Sequence, residues 1–153
     1  NGRESGRHST GTEPSAGETK MVAQSSNPQT TRYSMMKVIK DFRFSAAHRL
    51  SKVPEGHPCA RLHGHNYRIR IECDGPVKDD TDMVIDFHDV SSVVNPLVES
   101  LDHQFINDVV SYENTTAEWL CEWFLKNTPS TLPISAIEVW ETETCCARME
   151  IDL

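Results

Sequence analysis

In CARLHGHNYRIRI, Cys59, His63 and His65 fall within seven residues, directly ahead of an alternating segment. A thiolate and two imidazoles are the side chains that zinc prefers. Three readings are open at this point: a closed structural zinc staple, a catalytic zinc with its thiol kept apart, or an accidental cluster. His63 and His65 are two residues apart, so in a strand both rings point to one side. Gly64 between them allows another backbone to approach closely.

A third imidazole stands upstream. In KVIKDFRFSAAHRL, Phe42, Phe44, Ala46 and His48 share one face of an alternating segment, and antiparallel pairing of the two segments brings His48 across from the HxH pair. Three neutral imidazoles that leave a fourth position open make a catalytic zinc site. Adding Cys59 as a ligand would close it instead.

Two further groups could do chemistry. LDHQFIND places Asp102 beside His103, the ingredients of an acid–base histidine with its carboxylate. Adjacent residues need not bond to each other, and a histidine stabilised at a helix C-terminus is the plainer reading. In AIEVWETE, Glu141 continues the face of Ile137 and Val139. A carboxylate on an apolar face needs a partner, and the N–C–N edge of a heterocycle would serve; a solvated strand-end glutamate is the alternative. Zinc and His103 near Cys59 would favour its thiolate, a form able to take a proton from carbon.

The elements that must position these residues follow from periodicity. Phe42–His48 and Tyr67–Cys73 alternate as half-buried strands, with Arg68, Arg70 and Glu72 on the outer side of the second. SKVPEGHPCARL between them reads as a loop. Asp86 caps a helix whose apolar face is Val90, Val93, Val94, Leu97, Val98 and Leu101, with Pro96 expected to distort or split it. Thr115 or Thr116 caps a second helix, TTAEWLCEWFLKN. PISAIEVWETE and CARMEIDL close the chain as strands. The expected fold is α+β, β-β-α-α-β-β, with an antiparallel four-stranded sheet and two helices on one face. Nothing blunts the sheet edges, which favours oligomerisation.

Composition bounds the rest. Residues 1–34 carry almost no large apolar side chains and read as a disordered tail, leaving 35–153 as one catalytic-size domain. The tail lacks the apolar stretch of a secretory signal, and no segment is apolar enough to span a bilayer. A net charge of −8 with no basic stripe argues against nucleic acid. Five cysteines without framework spacing read as reduced thiols of a cytoplasmic protein, Cys73 and Cys121 as core residues.

FSAAHRL, CxxxHGHNY, VIDF, LDHQFIND, the ENTTAE helix start and the VWET strand occur in this order from Lys37 to Glu150. Together they resemble the 6-pyruvoyltetrahydropterin synthase / 6-carboxytetrahydropterin synthase family. The resemblance implies the tunnelling fold, three copies joining their sheets in a barrel and two trimers forming a hexamer. It implies Zn2+ on His48, His63 and His65, a catalytic thiol at Cys59, acid–base partners Asp102 and His103, and a pterin anchor at Glu141 with Thr116 beside it. It further implies a pterin triphosphate as substrate and sites shared between subunits. Arg49, Lys52 and Arg61 are candidate phosphate contacts. In this family the carboxy-forming enzymes place three residues between the cysteine and HGH and the pyruvoyl-forming enzymes five. Here Ala60, Arg61 and Leu62 make three.

Overall fold

The computed structural model describes residues 35–152; the tail expected at 1–34 lies outside the described residues. Strand β1 (Met36–His48) pairs antiparallel with β2 (His63–Gly75). The loop between them holds a 3-10 turn at Pro58–Ala60. Helices α1 (Phe87–Leu101), α2 (Ile106–Val109) and α3 (Ala117–Asn127) follow. Strands β3 (Ile134–Trp140) and β4 (Cys146–Glu150) complete an antiparallel sheet of order β1-β2-β3-β4. The sequence pattern accounts for all four strands and both long helices. It does not show α2, a single turn of INDV that carries no periodicity.

Alternation decides which sheet face is covered. Phe42, Phe44, Ala46, Tyr67, Ile69, Ile71 and Cys73 are buried, and against them pack Val90, Val94, Val98 and Leu101 of α1 with Leu120, Cys121 and Phe124 of α3. Burying side chains such as Ile69, Ile71 and Leu120 stabilises the fold by roughly 1.5–3 kcal/mol each. The Asp86 carboxylate caps α1 by accepting from the His88 N–H at 2.7 Å. The Thr116 hydroxyl caps α3 by accepting from the Trp119 N–H at 3.2 Å. Burial pushes the Cys73 and Cys121 thiols up to about 11, as befits small core residues.

Two expectations are corrected. α1 runs through Pro96 without interruption. Pro96 and Ser92, whose carbonyl loses its usual N–H partner, are both exposed, so that carbonyl is open to hydrogen bonding by solvent. Glu72 was expected on the solvent side with Arg68 and Arg70, yet it is only 5% exposed. The Arg148 guanidinium covers it, donating to Glu72 Oε1 at 2.7 Å and Oε2 at 2.8 Å, and to Glu138 Oε1 at 2.6 Å. This guanidinium holds the Glu72 carboxyl below its ordinary range.

Candidate metal centre and adjoining clefts

The β1–β2 register sets His48 directly opposite His63, with His65 opposite Ala46. Ring centroids are 4.5 Å apart for His48 and His63, 5.1 Å for His48 and His65, and 5.0 Å for His63 and His65. One ring nitrogen from each lies within 4.8 Å of the others, so these three could hold a metal ion; Cys59 is not part of the group. Gly64 leaves this register uncrowded, since a Cβ there would lie a tight 3.1 Å from the Ala46 carbonyl oxygen.

Backbone carbonyls set the tautomers. His48 Nδ1–H donates to the Thr115 carbonyl at 2.9 Å, and His63 Nδ1–H to the Arg61 carbonyl at 2.8 Å. A carbonyl only accepts, so Nδ1 carries the proton and Nε2 keeps its lone pair. His48 Nε2 is buried with no hydrogen-bond partner among the described residues. Burial lowers the His48 imidazole to about 4 and lowers His65 as well, keeping both neutral. A neutral, oriented, unsatisfied imidazole nitrogen is what a divalent metal ion needs from a ligand, and the set fits such an ion.

The residues around the cluster divide into two clefts. Glu141, one residue beyond β3, brings Oε1 to 3.9 Å from His48 Nε2, and its side chain is 26% exposed. With Thr116, Leu50, Cys145 and Cys146 it lines one cleft. His65 and His103 line another, with Ser45, Asn66 and Gln104. His103 Nδ1 lies 2.9 Å from Asp102 Oδ2, so the adjacent pair does bond to itself. A positive φ of 57° at His103 turns its N–H onto the Ser45 carbonyl at 2.6 Å. In return the Ser45 N–H donates to Asp102 Oδ1 at 2.9 Å, and this bond, then His103, holds the Asp102 carboxyl below its usual range. The pair is thereby tied to β1, with the His103 ring 79% exposed.

Cys59 sits in the 3-10 turn, half-buried, its N–H donating to His57 Nδ1 at 3.1 Å and its carbonyl accepting from the Leu50 N–H at 2.8 Å. The structure thus gathers His48, His63, His65 and Glu141, pairs Asp102 with His103, and leaves Cys59 on its own loop. Of the phosphate candidates, Lys52 lies 3.3 Å from the Tyr112 hydroxyl, and Arg49 and Arg61 are exposed.

Sequence reasoning missed three supporting residues. Thr115 acts through its carbonyl, which no side-chain pattern reveals. Ser45 anchors Asp102 and His103 through its backbone. Asn107, buried, accepts from the Arg49 N–H at 3.0 Å and donates to the carbonyls of Arg49 (3.0 Å) and Tyr112 (3.1 Å), holding the chain just after His48.

The family model of 6-pyruvoyl tetrahydropterin synthase matches residues 37–152. The chain belongs to this family. A Synechocystis protein named 6-carboxy-5,6,7,8-tetrahydropterin synthase is 37% identical over 118 residues, covering 72% of this chain and 90% of that protein. A Pyrococcus furiosus protein named dihydroneopterin monophosphate aldolase is 30% identical over 109 residues, covering 69% and 89%. Among solved structures, the Caenorhabditis elegans 6-pyruvoyl tetrahydropterin synthase superposes with a TM-score of 0.70 at 20% identity, over 79% of this chain and 99% of that one. The fold is therefore the tunnelling fold of these synthases, α+β with one covered sheet face, and the chain is a pterin-processing member. No helix among the described residues is long and apolar enough to cross a membrane.

Proposed function

We propose that this chain is a zinc-dependent 6-carboxy-5,6,7,8-tetrahydropterin synthase. It takes 7,8-dihydroneopterin triphosphate to 6-carboxytetrahydropterin, releasing acetaldehyde and triphosphate, an early step towards queuosine and related 7-deazapurines. The observation that carries the metal site is the buried His48 Nε2, oriented by the Thr115 carbonyl and without a partner of its own. The three-residue interval from Cys59 to HGH and the name of the Synechocystis relative support the carboxy-forming branch.

His48, His63 and His65 hold the zinc ion in this reading. When bound, zinc supplies Lewis acidity towards the hydroxyls of the substrate side chain. Glu141 accepts two N–H bonds from the pterin edge, with Thr116 beside it, and so orients that side chain towards the imidazoles. The Cys59 thiolate takes a proton from the first side-chain carbon. His103 relays protons, and Asp102 orients it. β1 and β4 are the outer strands of the sheet, which suits the expected barrel of three chains and a hexamer of two such rings and would let Asp102 and His103 serve a neighbour's substrate. A cytoplasmic setting suits the free thiols.

Incubating zinc-loaded protein with 7,8-dihydroneopterin triphosphate tests the reading: stoichiometric acetaldehyde and 6-carboxytetrahydropterin support it. A pyruvoyl product without acetaldehyde would assign the chain to the other branch. Turnover of the monophosphate alone, giving glycolaldehyde phosphate, would instead favour the aldolase activity named for the Pyrococcus furiosus relative. A non-catalytic zinc-stapled pterin-binding module predicts zinc loss in Cys59→Ala. The synthase reading predicts that this variant keeps zinc and loses turnover.

A further inference from the structure

Two buried side-chain polar atoms have no hydrogen-bond partner among the described residues: His48 Nε2 and the Tyr67 hydroxyl. A metal ion satisfies the first, because it takes a lone pair. It cannot satisfy the second. A phenol O–H must donate to an atom with a lone pair, and burying it without one is unfavourable. Tyr67 is only 1% exposed, so solvent at the surface does not supply that acceptor.

Alternation and register place this side chain beside the imidazoles. Tyr67 follows His63 and His65 at two-residue spacing on β2 and sits opposite Phe44 on β1. Its ring stacks on Phe44, with centroids 4.9 Å apart and planes 14° apart. Ala46, the next β1 residue on that face, is small. The Tyr67 ring leans past it to within 5.8 Å of the His48 centroid and 5.5 Å of the His65 centroid, near-perpendicular to both. A phenol keeps its proton up to about pH 10. Burial first, then the charge of Glu141, pushes this one higher, so the proposed pterin anchor acts on the same hydroxyl. Packing accounts for the ring but not for its oxygen: a phenylalanine would fill the same space with no polar atom to satisfy.

We propose that the Tyr67 hydroxyl is a specificity-determining donor, hydrogen-bonding a side-chain oxygen of the bound pterin and so selecting substrates hydroxylated beside the ring. This rests on the pterin reading above. Glu141, 3.9 Å from His48 Nε2, anchors the ring in that reading, and the substituent then lies towards His48 and His65, the two imidazoles that Tyr67 packs against. Burial has already stripped the phenol of bulk water. Bonding to a substrate oxygen therefore forfeits no hydration of the donor, and the bond counts nearly in full towards affinity. An analogue without the oxygen leaves the donor unpaired and gains nothing from it.

Tyr67→Phe keeps the ring and removes the hydroxyl alone. In urea, the zinc-free variant should unfold at the midpoint of the wild-type protein or above it. A clearly lower midpoint would mean that the hydroxyl is bonded within the chain or to a trapped water, and would overturn the proposal. Titration calorimetry of the zinc-loaded proteins then compares neopterin, whose side chain carries hydroxyls, with 6-methylpterin, which has none. Neopterin should bind the variant about tenfold more weakly or worse, and 6-methylpterin within about twofold of wild type. Equal losses for both ligands, no loss for either, or a fall in zinc affinity large enough to account for the neopterin loss would each overturn it. If the wild-type protein binds neither ligand, the pterin reading fails. Acetohydroxamate, which offers zinc two oxygens and no ring, then decides the hydroxyl: tighter binding to wild type than to Tyr67→Phe retains the donor, and equal binding overturns it.

Discussion

His48 and His63 face each other across the β1–β2 ladder as a direct cross-strand pair, their ring centroids 4.5 Å apart. The two rings are held by carbonyls from different parts of the chain, Thr115 and Arg61. The pair therefore joins the sheet to the start of α3 on one side and to the Cys59 loop on the other. His63 is the more exposed member, so it can be removed without emptying the core. We expect His63→Ala to lower zinc affinity by about 100-fold or more while changing the stability of the metal-free chain by less than about 1 kcal/mol. Competitive titration with a zinc chelator and urea unfolding check both halves.

The buried His48 makes metal-free stability depend on pH. Its folded value is about 4 against an ordinary 6.5, because burial disfavours the charged ring. The native state then binds fewer protons than the unfolded chain. Its contribution is fully present above pH 6.5 and is lost as pH falls through the folded value near 4, amounting to roughly 3 kcal/mol. Urea midpoints of the zinc-free protein measured between these limits should fall with falling pH. The slope should flatten in His48→Phe, which has no charge to gain.

Asp102 holds both the Ser45 N–H and His103 Nδ1. Asp102→Asn keeps an oxygen for Ser45 but removes the charge beside the imidazole. Turnover should drop by about 100-fold with KM nearly constant, as expected when proton transfer and not binding is impaired. Steady-state kinetics on the zinc-loaded enzyme separate the two constants.

On the opposite sheet face, Arg148 spans Glu72 and Glu138, both buried. Arg148→Ala leaves two carboxylates without this cation. It should destabilise the fold by about 2 kcal/mol, at the lower end because the Arg148 side chain is 32% exposed. Glu150→Ala, which removes the network's 65%-exposed carboxylate, should cost under about 0.5 kcal/mol. Thermal unfolding of both variants ranks them.

The parts legible in the sequence were those that local periodicity encodes. Alternation placed Phe42, Phe44, Ala46 and His48 on one face, and the three-and-four spacing placed Val90, Val94, Val98 and Leu101 on another. The cap Asp86 was legible, and the second cap narrowed to Thr115 or Thr116, because such side chains act within one turn of chain. Glu72 was misread because its fate depends on Arg148, 76 residues away. Thr115 and Ser45 act through backbone groups that carry no residue signature. Asn107 carries no pattern that singles it out; its role depends on the chain after His48, which it bonds from 58 residues away. Residue types could nominate Asp102 and His103, but only the left-handed backbone at His103 shows how neighbours in sequence come to bond each other.

In the proposed site three imidazoles hold the ion while the Cys59 sulfur remains outside its coordination sphere. X-ray absorption at the zinc edge of the loaded protein measures this directly. The predicted spectrum fits nitrogen and oxygen scatterers alone, at about 2.0–2.1 Å. A sulfur shell at about 2.3 Å, absent in Cys59→Ala, would contradict it.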